Sequence, residues 1–157
     1  MTVPQVINTP IQPDLSIPFL DALLANYSLV ELLPAYNNSV PIFTRRPVPT
    51  DAPYPMIVVS PDIVKQNLDG YTDLRPKITR DIAVYALNET SANYRLAEQL
   101  ASMILTQFHH TRHALVPPDG WMIANIESRG PIPAPTDDDM FVGRVVSIDV
   151  LLAMDNT

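Results

Sequence analysis

The sequence predicts an α+β domain of two layers, a mostly antiparallel four-stranded sheet packed by two helices in the order αββαββ. Three stretches carry that expectation. Ile78, Arg80, Ile82, Val84 and Ala86 alternate with Thr79, Asp81, Ala83 and Tyr85, the two-residue period of a strand with one apolar face. The period then changes: Ala97, Leu100, Ala101, Ile104, Leu105 and Phe108 recur at three and four, while Arg95, Glu98, Gln99 and Gln107 fall mostly opposite, as in a helix with one buried stripe. From Phe141 to Met154 strict alternation returns, with Val142, Arg144, Val146, Ile148, Val150 and Leu152 on one face.

Taken in order, residues 1 to 15 show no period and carry Pro4, Pro10 and Pro13, which favours an extended arm ahead of a single domain over 16 to 157. Ser16 is a plausible N-cap for a first helix, with Phe19, Leu20, Leu23, Leu24, Tyr27, Val30 and Leu33 as its stripe and Pro34 as its stop. Residues 36 to 55 form a long connection punctuated by prolines, with a short extended piece at 40 to 44. The run Pro55 to Ser60 is apolar and β-branched, hence a strand. Residues 61 to 74 are polar and hold the turn signal Asp69-Gly70, so 55 to 87 reads as one long-looped antiparallel hairpin. Asn88 or Thr90 caps the helix that follows, which is expected to end near His109 to His113. Trp121 to Arg129 alternates as a strand, and residues 130 to 139, with alternate prolines and three acids, are expected to project as an irregular loop.

Composition excludes more than it selects. At 157 residues and 46% hydrophobic, the chain can bury a core without metals or disulfides. Ten basic residues against seventeen acidic ones leave a charge of −7, with no basic patch for holding nucleic acid tightly. The absence of cysteine removes thiolate chemistry and suits a reducing compartment. Neither a signal peptide nor a membrane span is legible. With four glycines, no GxSxG elbow and no phosphate loop, enzyme motifs have little material, and no cofactor is expected.

Some residues nonetheless suggest sites. His109 and His113, with His110 between them, have the four-residue spacing of metal ligands on one helical face. Their place near a helix C-terminus, beside Arg112, favours interaction with the helix dipole instead. Asp137, Asp138 and Asp139 lack the alternating ligands and turn glycine of a calcium loop, so a solvated loop tip is favoured. Arg45, Arg46, Arg80 and Arg144 suit contacts between subunits or ion pairs to nearby aspartates. Arg80 and Arg144 interrupt faces that are otherwise apolar. These four arginines and three aspartates are the candidate contact residues.

The run Ala52-Pro53-Tyr54-Pro55-Met56-Ile57-Val58-Val59, the junction from Arg80-Asp81-Ile82-Ala83-Val84-Tyr85-Ala86 into Ala92 to Leu105, and the closing Arg144 to Val150 together resemble the tail terminator (tail completion) proteins of long-tailed bacteriophages. The likeness follows the order of elements over residues 16 to 154. It implies a homohexameric ring in the virion neck that caps the tail tube, ends its polymerisation and joins it to the head connector or stopper protein. Such a ring assembles in the host cytoplasm, performs no catalysis, contacts no membrane, and lets genomic DNA pass through its lumen without reading sequence. The arm and the 130 to 139 loop depart from the family pattern. Competing readings are a head-completion or stopper protein of the neck and, from another class, a small module binding a ligand or peptide at its sheet edge.

Overall fold

A computed structural model describes residues 13–61, 64–67, 75–134, 136 and 139–155. Its elements are α1 (Ser16–Leu24), α2 (Tyr27–Val30), β1 (Ile42–Phe43), β2 (Met56–Val59), β3 (Val64–Asn67), β4 (Pro76–Leu87), α3 (Ser91–Phe108), a single 3₁₀ turn at Arg112–Ala114, β5 (Trp121–Pro133) and β6 (Phe141–Met154). The expected α+β class holds, with six strands among the described residues where four were expected. They run β1-β2-β4-β6-β5, and β3 also pairs with β4. All pairs are antiparallel except β1 with β2.

The register of β4 on β6 fixes both faces. Ile78 opposes Val150, Ile82 opposes Val146 and Ala86 opposes Val142, so the apolar alternate residues of both strands share one side. Against that side lie Phe19 and Leu23 of α1, Leu29 of α2, and Ala97, Leu100, Ala101, Ile104 and Phe108 of α3, all in one core. Phe19 meets Phe108 edge to face, ring centroids 5.2 Å apart, joining the two helical pieces above the sheet.

Three departures from the sequence expectation have physical reasons. The single helix expected over 16 to 33 is two, because Asn26 leaves the helical region and its side chain caps the N-terminus of α2, accepting from the Leu29 N–H. Ser16 is not the N-cap of α1: that position is Leu15, and the Asp14 carboxylate takes both the Ser16 N–H and its hydroxyl. Leu15, counted with the arm, is wholly buried in the core.

The third departure is β5, which runs past Arg129 through Gly130, Pro131, Ile132 and Pro133, four residues expected to be irregular. At the sheet margin, β5 has β6 on one side and no described strand on the other, so prolines there delete no second ladder. Two register shifts, at Ile123/Asn125 and Arg129/Ile132, absorb the misfit. Gly130 makes the second possible: its φ is +112°, and a Cβ would stand 2.8 Å from the Val145 carbonyl oxygen. Gly130→Ala is expected to cost about 3 kcal/mol in thermal unfolding, combining dihedral strain with a backbone clash. A loss under about 0.5 kcal/mol, the scale of ordinary surface changes, would show that the bend does not depend on glycine.

β2 and β3 lie successively along the same side of β4, Met56–Val59 against Ile82–Tyr85 and Val64–Asn67 against Pro76–Thr79. The hairpin expected over 55 to 87 is therefore present, with an additional strand where a polar connection was expected. The Asp69-Gly70 turn signal lies outside the described residues, as do the first twelve residues of the arm and Asp137 and Asp138. Among the described residues no helix is long and apolar enough to cross a membrane.

Candidate functional site

The four candidate arginines divide between the helix-covered side of the sheet and the opposite side. Arg80 sits mid-strand on the covered side, where alternation must place it, and is 2% exposed. Its guanidinium donates to the Ser16 hydroxyl at 2.9 Å, the Ser60 carbonyl at 3.2 Å and the Asp14 carboxylate at 2.9 Å. One buried cation thus ties the start of α1 to the end of β2.

Asp14 is well exposed on the other side of that pair, so the ion pair is water-screened and its worth lies mainly in hydrogen-bond geometry. The backbone N–H and hydroxyl of Ser16, then the Arg80 charge, hold the Asp14 carboxyl below its ordinary pKa, while partial burial opposes them. A depressed folded-state pKa means stability present above the ordinary carboxylate pKa and lost as pH falls through the folded one. Acid titration of unfolding should therefore show a component that Asp14→Asn removes. An unchanged acid limb in that variant would rule out Asp14 as its source.

Arg144 occupies the matching position on β6. Its guanidinium pairs with Glu98, donates to the Tyr94 hydroxyl and the Gly143 carbonyl, and lies 4.9 Å from the Tyr94 ring centroid. Glu98 and Tyr94 stand one turn apart on α3, so Arg144 fastens helix to sheet as an arginine's planar fork allows. Both face-interrupting arginines are taken up inside the subunit.

Arg45, Arg46 and Asp139 are exposed instead. The Arg46 guanidinium receives support from Tyr85, donating to its hydroxyl at 2.9 Å with the ring 5.5 Å away. Tyr85 belongs to the face of the sheet opposite the helices, where Ala52, Met56 and Val58 form a second small core with Phe43, Val48, Tyr54 and Tyr85 against it. Tyr54 stacks on Phe141 at 5.0 Å. Gly143 allows the Tyr85 ring and Ala134 to close in, since a Cβ there would stand 2.9 Å from Ala134 and 3.0 Å from the ring.

The loop bearing Asp139 meets the sheet at this same end. The Asn88 N–H donates to the Met140 carbonyl at 2.6 Å, and its side chain donates to the Asp139 carbonyl at 3.2 Å. Ile132 and Met140, both more than half exposed, add apolar surface. Arg45, Arg46 and Asp139 thus share one end of the sheet with Tyr54, Tyr85 and Phe141. Aromatic residues beside arginine are the composition enriched at protein interfaces. The sequence reading missed the aromatic members. Their signal was present in the alternation, since Tyr85 and Phe141 fall opposite the apolar stripes of β4 and β6.

Of the histidines, the rings of His109 and His110 lie 4.0 Å apart in a tilted contact, but the three do not form a metal-ligand set. His109 ends α3 and its Nδ1 accepts the Ser128 N–H at 3.1 Å; His110 follows with a positive φ; His113 lies in the 3₁₀ turn. Because the helix stops at Phe108, the four-residue spacing does not bring 109 and 113 onto one helical face. Among the described residues no three His, Cys, Asp or Glu side chains are grouped to hold a metal. The hydroxyls of Thr79 and Ser147 donate to Asp149 and Asp81, pairing the polar side chains that cross the open sheet face.

No protein-family model matches the chain, and no curated protein matches it. Among solved structures, a chain from the virion of a native gene transfer agent particle matches with a TM-score of 0.67. The match covers 89% of this chain and 95% of that one at 12% sequence identity. At that identity the likeness is one of fold, and it extends nearly end to end in both chains.

Proposed function

We propose that the chain is a virion structural protein acting as a tail terminator: a homohexameric ring that caps the tail tube, stops its growth and presents a docking surface to the head connector or stopper. The observation that carries this reading is the near-complete mutual coverage with a chain of a gene transfer agent virion. The resemblance of the 52 to 59, 80 to 105 and 144 to 150 stretches to tail terminators supplies the finer role. In this reading the sheet and α3 form the rigid middle of each subunit. Arg45, Arg46 and the loop through Asp137, Asp138 and Asp139 meet neighbours, and Arg80 and Arg144 act indirectly by holding α1 and α3 on the sheet.

Charge supports the same role. Six copies at −7 give about −42, a field that repels phosphate and lets DNA pass without adhering. The chemistry asked of the protein is recognition, with no bond made or broken. Its place is the virion neck, after assembly in the host cytoplasm.

The test is assembly without the protein, viewed by electron microscopy. Overlong tails without heads are the expected products. Filled heads without tails, alongside free tails of normal length, would instead assign the protein to head completion.

A further inference from the structure

On the helical side, away from the aromatic end, α1 and the segment after the 3₁₀ turn leave an open groove of about 490 Å³. Ile17, Pro18, Ala22 and Ala25 line one wall, and Val116 and Pro117 the other. Ile17 is 60% exposed and Val116 77%, so two aliphatic side chains that a monomer gains nothing by displaying line the same groove. Asp21 and His113 are its titratable lining residues.

The chain itself contains a segment suited to this groove. Residues 1–12 precede Pro13, which is buried beside the start of α1, and Ile17 lies just beyond on the first helical turn. Those twelve residues include no charged side chain and carry Val3, Val6, Ile7 and Ile11, an apolar complement to an apolar lining. Fully extended they reach at most about 40 Å, enough to cross to an adjacent subunit. The Arg80 cluster holds Asp14 and Ser16, just after these residues in the chain.

We infer that residues 1–12 of one copy dock in the Ile17–Val116 groove of the next, clasping the ring through its arms. The inference rests on the ring reading and adds the partner and the chemistry of one contact.

Because the chain has no cysteine, the double variant Val6→Cys with Val116→Cys offers one defined pair to a short bismaleimide. The expected result is a covalent ladder of up to six subunits on a denaturing gel. It should exceed by at least about tenfold the product of either single variant, and of Val6→Cys with Met140→Cys, whose second site is exposed at the aromatic end of the sheet, away from the groove. Ile17→Cys serves equally if the Val116 variant folds poorly. A linked product migrating as one chain would mean that the arm covers its own groove, and no product above the controls would mean that it docks elsewhere; either overturns the inference. Light scattering on the same protein before linking separates the two levels. A six-subunit particle without the ladder leaves the ring standing and removes the clasp, whereas a monomer removes both.

Discussion

Leu100→Ala and Ile104→Ala are each expected to lower the unfolding free energy by about 2 to 5 kcal/mol. Both side chains are wholly buried, one turn apart, on the face of α3 that meets β4, β5 and β6. Truncation removes apolar contact and leaves a void that the long strands beneath cannot collapse to fill. For a chain of this length that corresponds to a fall in Tm of roughly 5 to 15 °C. The matching control is Gln99→Ala, exposed on the same helix, expected to stay within about 0.5 kcal/mol. Denaturant midpoints should be compared at one fixed protein concentration, because any self-association would add stability by mass action. Near-neutral effects at both core positions would mean that α3 presents a different face to the sheet.

The second large effect is expected at Arg80. Arg80→Ala leaves the Ser60 carbonyl and the Ser16 hydroxyl without the guanidinium and opens a void beneath α1, for an expected cost of about 2 to 4 kcal/mol. Arg80→Met should cost clearly less, since it fills most of the volume that alanine leaves empty. Asp14, being exposed, relaxes into water in either variant. Equal losses in the alanine and methionine variants would assign the effect to hydrogen bonding alone. No loss in either would show that the cluster does not hold α1. Arg144→Ala is a useful comparison, because its partners Glu98 and Tyr94 lie on α3 rather than α1.

How much of this was legible in the sequence depends on how local each signal is. β4, α3 and β6 announce themselves because each carries several turns of one unbroken period, and the core they share follows from that period. β3 does not, since Val64–Asn67 has no apolar alternation and owes its pairing to the start of β4. The run of β5 through Pro131 and Pro133 is tolerated by its marginal position, a fact about neighbours that no local pattern encodes. Asn26, unremarkable within an apolar helical stripe, divides the first helix because its side chain also reaches Gln107 of α3.

The candidate site followed the same logic. Arg80 and Arg144 were conspicuous as charges among apolar residues, and that pattern marks a cation used to fasten a helix to a sheet. Arg46 and Tyr85 meet across thirty-nine positions, a proximity that only the assembled sheet creates. The groove between Ile17 and Val116 was equally invisible, because its lining comes from two segments far apart in the sequence.

The central claim is the sixfold ring, and its most direct test is the mass of the purified protein by light scattering, with images of the same sample. A ring of six 17.4 kDa chains should give about 104 kDa and a sixfold annulus with an open centre. A 17.4 kDa particle at high concentration, with no annulus on adding tail tubes, would contradict it.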